Sequence, residues 1–150
     1  MKDSVIKLVS KLIKQKFVYV AVPVIIVNSK KEILLGKRDM SAHVYPGVWG
    51  LPGGMADYGE HIERTAEREV KEELGVDIKI IRRSRNIYQN IPSKENRFHS
   101  VDIPYYARII KGIPKADDET SEVRWFKPSE INKMKLAYSH KDILKGEGLI

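Results

Sequence analysis

The chain has 150 residues, of which 42% are hydrophobic and 31% charged, and its formal net charge is +7. This composition predicts one soluble globular domain, and no apolar run approaches the roughly 18 residues that a membrane span needs. The absence of cysteine excludes disulfides and thiolate metal sites, and it favours a cytoplasmic location. The positive charge favours encounter with phosphorylated substrates, but it is spread along the chain, which disfavours dedicated nucleic-acid binding.

The first predicted element is an amphipathic helix from Ser4 to Lys16. Such a helix can pack on its own domain, on a second subunit or on a membrane surface. The absence of an aromatic residue before Phe17 favours a protein surface over a membrane. We therefore expect residues 1–16 to form a helical extension, and we predict a homodimer in which its stripe is buried. The stripe consists of Val5, Leu8, Val9, Leu12 and Ile13.

Two predicted strands follow the extension. The stretch from Phe17 to Asn28 is rich in valine and isoleucine, and Pro23 within it indicates an edge or a bulge. Residues 28–31 have turn composition, so residues 32–38 are predicted to return as the second strand of a hairpin. After an irregular loop, residues 49–51 are predicted as a short strand that leads into a glycine-rich loop.

The most informative segment runs from Trp49 to Val76, WGLPGGMADYGEHIERTAEREVKEELGV. Its two adjacent glycines allow the backbone to approach a ligand closely. Residues 61–74 favour a helix, and Gly75 is placed to cap it in the left-handed conformation. Three carboxylates fall within an arc of roughly 100° on this helix, where they repel one another unless a hard divalent cation binds them. Taken alone, such a charged helix is more often a solvated face. The three are Glu69, Glu72 and Glu73.

Further strands are predicted for residues 77–87, 100–110 and 122–126. Pro104 marks a local irregularity in the second of these, and the loop of residues 90–97 could overhang the candidate site. Pro128 begins a short predicted helix, with Ser129 as its capping residue.

The pattern Gly54-x5-Glu60-x7-Arg68-Glu69-Val70-x-Glu72-Glu73-x-Gly75-Val76 resembles the Nudix box, and every defined position matches. The resemblance extends over roughly residues 20–126. It implies an α/β fold, an α/β/α sandwich with a mixed sheet, for residues 17–150. It also implies a hydrolase that uses magnesium, with manganese able to replace it, to cleave a nucleoside diphosphate linked to another group.

The resemblance also implies roles for residues of the box. The metal ligands are expected to be Glu69, Glu72 and Glu73, together with the backbone carbonyl of Gly53 or Gly54. Glu60 is expected to support these ligands or to bind an additional ion. Arg68 is expected to orient a glutamate and not to contact substrate.

Two residues outside the box are further candidates. Arg38, at the end of a strand, is placed where family members bind a substrate phosphate, although a solvent-facing role fits equally. Glu119 lies where MutT-type members carry a carboxylate near the metals, and it could also be an exposed loop acid. Glu69 and Glu119 are both candidates for the general base.

The favoured substrate is ADP-ribose or a similar nucleoside diphosphate sugar. Residues 136–144 resemble the tail of short ADP-ribose pyrophosphatases, in which a last helix follows, and Pro92 is close to where these enzymes carry a proline. The alternative is a MutT-type enzyme that hydrolyses nucleoside triphosphates, including oxidised ones, because residues 49–54 and Glu119 also fit that group. A catalytically silent nucleotide-binding module is a minor alternative, since such modules usually lack a box glutamate.

Overall fold

The computed structural model describes residues 4–6, 8–9 and 16–150. Residues 16–150 form two β-sheets and three helices, and the described residues before them are helical. The strands are β1 (Val18–Ile26), β2 (Ile33–Arg38), β3 (Trp49–Gly50), β4 (Gly53–Met55), β5 (Asp77–Arg83), β6 (Tyr88–Asn90), β7 (His99–Asp102), β8 (Tyr105–Lys111) and β9 (Thr120–Phe126). The helices are α1 (Ile62–Leu74), α2 (Pro128–Ile131) and α3 (His140–Gly146). The predicted α/β class with a mixed sheet is confirmed.

The larger sheet is built around strand β1, which pairs with β4, β7 and β8, while β6 pairs with β7 and β5 pairs with β8. Strands β7 and β8 both run parallel to β1, along residues 18–21 and 24–26 respectively. Only Ile103 and Pro104 separate them, so the strand predicted for residues 100–110 is two strands on one side of β1. Pro23 lies between the residues of β1 that pair with β7 and those that pair with β8. Its missing N–H therefore removes no hydrogen bond to either strand. Of the two alternatives predicted for Pro23, an edge or a bulge, the edge is therefore wrong.

Strand β2 belongs to a separate antiparallel sheet with the order β3-β2-β9. The predicted turn at residues 28–31 is confirmed by the bond from the Asn28 N–H to the Glu32 carbonyl at 3.0 Å and by an antiparallel bridge between Val27 and Ile33. The predicted hairpin does not continue beyond this turn, because β4 pairs with β1 along residues 21–23 and β2 pairs with β3 and β9. The glycine-rich segment at residues 53–55 is thus a short strand and not only a loop.

Two hydrophobic clusters lie on the two sides of the sheets. One contains Val70 and Leu74 of α1, both fully buried, and the other contains Ile143 and Leu144 of α3. Each such side chain contributes roughly 1.5–3 kcal/mol when it is buried. Helix α1 ends at Gly75, which has φ 70° and whose N–H donates to the carbonyl of Lys71 at 3.0 Å. These contacts fix the acidic helix against the central strand.

The ends of the chain differ from the predictions in detail. Residues 4–6 and 8–9 are helical, whereas Lys16 is not, so the helix does not extend to Lys16 as predicted. Leu12 and Ile13 lie outside the described residues. Val5, Leu8 and Val9 are 55%, 58% and 40% exposed, so this part of the stripe is not buried on its own domain.

The short helix α2 is capped differently from the prediction. Its N-cap residue is Lys127, whose N–H donates to the Glu130 carboxylate at 2.8 Å, and Ser129 lies within the first turn. Strand β5 ends at Arg83, earlier than predicted. None of the described helices is long and apolar enough to cross a membrane.

Candidate active site

A cleft of about 860 Å³ opens where β1 and β4 meet the helix α1. This volume is within the range of small-molecule sites. Its lining includes most of the candidate residues from the sequence, which are Arg38, Gly53, Gly54, Arg68, Glu69, Glu72, Glu73 and Glu119. Glu60 is not among the lining residues.

The two glycines of β4 bring its backbone against β1 and α1. Gly53 has φ 129°, and a Cβ there would lie 2.2 Å from the carbonyl oxygen of Val22. Its N–H donates to the Glu73 carboxylate at 2.9 Å. A Cβ on Gly54 would lie 2.4 Å from Cδ of Glu69. Side chains at these positions would therefore displace the strand or the carboxylate beside it.

Arg68 connects the acidic residues of the site. Its Nη1 donates to Glu69 at 2.6 Å and to Glu72 at 3.2 Å. Its Nε and Nη2 donate to Glu60 at 2.9 and 3.0 Å. Nη2 also reaches the carbonyl of Met55 at 3.2 Å, which ties the helix to β4. The guanidinium thus fixes two cleft carboxylates and one carboxylate behind them.

Glu60 lies behind Arg68 and is fully hydrogen bonded. Besides the arginine, it accepts hydrogen bonds from the Thr65 hydroxyl at 2.7 Å and from the Asp57 N–H at 3.1 Å. The hydrogen bond from Arg68 is the largest cause that lowers the pKa of Glu60 to about 2. Its position suits the support of Arg68 more than direct contact with a substrate.

The pKa values of two carboxylates that face the cleft, Glu69 and Glu73, are shifted in the opposite direction. Burial, with a contribution from the negative charges of Glu69 and Glu119, raises the pKa of Glu73 to about 8 against the Gly53 hydrogen bond and the Arg38 charge. Burial also raises the pKa of Glu69, although Arg68 opposes this. The protein alone therefore stabilises negative charge on these two glutamates poorly, and the cations beside them offset this only in part.

This donor set fits a divalent cation. Glu69 and Glu72 already converge on a single guanidinium nitrogen, so two carboxylates can reach one positive centre. Oxygen ligands whose negative charge the protein stabilises poorly are those that a hard cation prefers. Within residues 16–150 and the helical residues before them, no three acidic, histidine or cysteine side chains stand in a finished metal-binding arrangement. Glu69 and Glu72 each use one carboxylate oxygen for Arg68, which leaves the other oxygen of each for a cation.

Arg38 and Glu119 lie on the other wall of the cleft. The Nε of Arg38 donates to the Val44 carbonyl at 2.7 Å, and its guanidinium lies 5.3 Å from the Tyr138 ring centroid. The Glu119 carbonyl accepts a hydrogen bond from the Asp39 N–H at 3.1 Å. The Arg38 side chain and the Glu119 backbone are thus fixed on the wall that faces the glutamates of α1.

Two polar residues of the cleft were not among the sequence candidates. His140 of α3 accepts a hydrogen bond from the Leu51 N–H at 3.0 Å, and burial lowers its pKa to about 3. Asp102 of β7 is only 2% exposed and lies beside Ser100. A carboxylate at an inward position of a predicted central strand was the available signal for Asp102.

Residues 19–146 match the NUDIX domain family. The chain is 33% identical over 121 residues to an ADP-ribose pyrophosphatase of Methanocaldococcus jannaschii, covering 80% of this chain and 68% of that protein. It is 32% identical over 109 residues to a putative 8-oxo-dGTP diphosphatase of Bacillus subtilis, covering 72% and 66% respectively. Among solved structures, the NUDIX domain of Shewanella oneidensis NrtR in complex with ADP ribose aligns with a TM-score of 0.68 and 26% identity, covering 91% of this chain and 92% of that one.

The cleft, the helix with its glutamates and the match over most of the chain together define the class, and this chain belongs to the Nudix hydrolase family. It is therefore a hydrolase of the class that acts on pyrophosphate bonds of nucleoside diphosphate derivatives. Hydrolases of this family generally use a divalent metal ion.

Proposed function

We propose that the protein is a magnesium-dependent pyrophosphohydrolase whose preferred substrate is ADP-ribose or a similar nucleoside diphosphate sugar. The observation that carries the reaction class is the convergence of Glu69, Glu72 and Glu73 beside the two glycines of β4. A diphosphate is protected by its own negative charge, so a site that cleaves it must supply positive charge.

The metal ligands in this proposal are Glu69, Glu72 and Glu73, with manganese able to replace magnesium. When bound, the cation neutralises phosphate charge and favours attack by water. Arg68 orients Glu69 and Glu72, and Glu60 holds Arg68 in place. The backbone carbonyl of Gly53 or Gly54 would add a further oxygen ligand, since β4 lies against Glu69.

The remaining roles concern the substrate and the proton. Arg38, on the opposite wall, is placed to pair with a substrate phosphate. A general base takes the proton of the attacking water, and both Glu69 and Glu119 line the cleft as candidates. Substitution of each by glutamine, followed by the pH dependence of kcat, separates these two candidates.

The preference for a nucleoside diphosphate sugar is supported by two relatives. One is named as an ADP-ribose pyrophosphatase, and the other is a Nudix domain that was solved with ADP ribose. The relative named as a putative 8-oxo-dGTP diphosphatase supports the second candidate, a MutT-type triphosphate hydrolase. The net charge of +7 suits either substrate, because charge steers encounter more than it selects a leaving group.

The test is the ratio of kcat/KM for ADP-ribose to that for 8-oxo-dGTP and unmodified nucleoside triphosphates, with products identified by chromatography. We expect ADP-ribose to be preferred and to give AMP and ribose 5-phosphate. A preference for a triphosphate, with release of pyrophosphate, would assign the protein to the MutT-type alternative. Tight binding without turnover of any compound would make it a silent nucleotide-binding module.

A further inference from the structure

Asp102 lies in the floor of the cleft, away from the glutamates of α1. Across the larger sheet, Ala21 of β1 is paired with Asp102 of β7 on one side and with Met55 of β4 on the other. All three residues line the cleft. Two strand spacings amount to about 10 Å, so Asp102 is separated by roughly that distance from Met55, whose carbonyl contacts Arg68. One extended substrate can therefore contact both regions.

The Asp102 carboxylate is buried but only partly satisfied. Its Oδ1 accepts a hydrogen bond from the Ser100 hydroxyl at 2.6 Å, and its Oδ2 accepts one from the Ser139 hydroxyl. Within the described chain it has no ion-pair partner. An ionised carboxylate offers about four acceptor positions, so about two remain for a ligand. Because a buried carboxylate without a cation is costly, a donor from a ligand in the cleft would be stabilising.

Aromatic rings stand at the same end of the cleft. Tyr19, which is paired with Ser100 across the strands, and Phe98 both line it, with ring centroids 5.6 Å apart and planes at 80°. Aromatic rings bind flat, conjugated groups better than they bind a sugar, because bases stack on them. A flat ligand here would direct its polar edge towards the buried carboxylate.

The Phe98 backbone is held in place by two buried asparagines. Asn90 and Asn96, which are 6% and 1% exposed, both donate to the Phe98 carbonyl, at 2.9 and 3.2 Å. The Phe98 N–H donates to the Asn96 side chain at 3.0 Å. The loop before β7 is therefore fixed, so the aromatic surface is formed before a ligand binds.

We propose that Asp102 is a specificity-determining residue whose carboxylate accepts a hydrogen bond from the exocyclic amino group of the substrate's base. This inference rests on the proposed function for the identity of the substrate as a nucleotide. It explains why a carboxylate, the hydroxyl of Ser100 and two aromatic rings occur together in the cleft beyond the glutamates. A keto group in place of the amino group would direct an oxygen at the carboxylate, so bases with an amino group are preferred.

The test compares ADP-ribose with its counterpart that carries unsubstituted purine, which lacks only the amino group of the base and gains no N–H donor in its place. For the unmodified protein we expect kcat/KM to favour ADP-ribose by about 10- to 100-fold, the range for one hydrogen bond to a charged group. Asp102→Asn should bring this ratio close to one, because the amide offers both a donor and an acceptor. A ratio near one for the unmodified protein, or an unchanged ratio in Asp102→Asn, would overturn the proposal.

Two controls separate recognition from structural support. Asp142→Asn makes the same chemical change at an exposed position of α3 and should leave the ratio unchanged. Ser139→Ala removes the hydrogen bond on the Oδ2 side and should lower stability without abolishing the base preference. A loss of preference in Ser139→Ala as large as that in Asp102→Asn would show that Asp102 acts only through the fold.

If Asp102→Asn does not fold, Ser100→Ala replaces it, because Ser100 lines the cleft and donates to Oδ1 of Asp102. We expect a reduced ratio for this variant, and an unchanged ratio would contradict the proposal. If ADP-ribose is not hydrolysed, the proposed function fails, and the comparison is made with dATP and its unsubstituted-purine counterpart. A preference for dATP would still support the role of Asp102, and equal rates would reject it.

Discussion

At the scale of single residues, the site depends on how charge is divided along one helix. Arg68 compensates Glu60, whereas Glu69 and Glu73 face the cleft with raised pKa values that burial causes. Because their negative charge is poorly stabilised, these two carboxylates suit the binding of a cation that arrives with the substrate. The same helix offers Glu67, whose partner Arg64 at 2.6 Å lies outside the cleft, as an internal control.

Glu72→Gln and Glu73→Gln should each abolish turnover while leaving the fold intact, because loss of either charge weakens metal binding. We expect kcat to fall by more than the roughly 10- to 100-fold that loss of an outer partner costs. Steady-state kinetics across a magnesium titration, with circular dichroism as the check on folding, measures this. Glu67→Gln should retain its activity. A variant at 72 or 73 with a near-normal rate at saturating magnesium would remove that residue from the metal site.

Gly54→Ala should reduce activity more than stability. The new Cβ would meet the end of the Glu69 side chain, which can rotate away, so the fold is retained while the carboxylate leaves its position. Gly59→Ala should show the reverse pattern, because Gly59 has φ 79° and no atom within 4 Å of the added Cβ. Kinetics and thermal unfolding of both variants test this contrast. Equal activity in Gly54→Ala and the unmodified protein would show that Glu69 need not lie against β4.

At the scale of elements, helix α3 is joined to the larger sheet by one carboxylate. Glu147, which follows α3, accepts hydrogen bonds from four side chains of the sheet and the segment beside it. The four donors and their distances are Ser84 at 2.5 Å, Asn86 at 3.1 Å, Tyr88 at 2.9 Å and Tyr106 at 2.6 Å. Burial would raise the pKa of Glu147, but these hydrogen bonds together outweigh burial and lower it to about 2.

This depressed pKa predicts a pH-dependent contribution to stability. The folded value lies below the ordinary value of 4.5, so the unfolded chain binds the proton more readily. The contribution is therefore fully present above about pH 4.5 and is lost as the pH falls towards 2. We expect Glu147→Gln to lower the free energy of unfolding by about 1–3 kcal/mol at pH 7 and by less at pH 3.

Denaturant unfolding of both proteins at the two pH values measures this difference. Asp142→Asn, on the exposed side of α3, serves as the control for removal of one acid from the helix. A gap between Glu147→Gln and the unmodified protein that stays constant from pH 7 to pH 3 would contradict this account.

The sequence was sufficient to predict helix α1 and the positions of the box glutamates along it. Helix propensity, the Gly75 cap and the glutamate spacing are all local signals. The sequence was insufficient where pairing is decided by distant strands. The β1–β2 hairpin was predicted from adjacency, but beyond its turn β4 occupies that edge of β1, and Pro23 lies at a change of partners that local pattern cannot reveal. Asp102 was missed for the same reason, since its place in the cleft depends on pairing with β1.

At the scale of the whole molecule, the exposed helical residues before β1 point to an assembly larger than one chain. Val5 and Leu8 are more than half exposed, and each aliphatic residue contributes roughly 1.5–3 kcal/mol when fully buried. Ile6, in contrast, lines the cleft. A second subunit that covers the exposed stripe would bury it without displacing Ile6.

We therefore predict a homodimer that deletion of residues 1–15 splits or destabilises. Light scattering of the intact and shortened proteins, together with thermal unfolding, is the measurement. Val5→Ser with Leu8→Ser in the intact chain is the matched test of the stripe alone, and it should have the same effect on the dimer. A monomer both before and after deletion would show that the helix is not a dimer element.

The central claim is that this cleft hydrolyses a phosphoanhydride with the help of a divalent cation held by the α1 glutamates. The most direct measurement is AMP release from ADP-ribose by protein freed of metal with a chelator, as magnesium is added back. We predict no release without metal, a saturable rise with magnesium, and little rise at any magnesium concentration for Glu72→Gln. AMP release that is equal with and without the chelator, or equal in Glu72→Gln and the unmodified protein, would contradict the account.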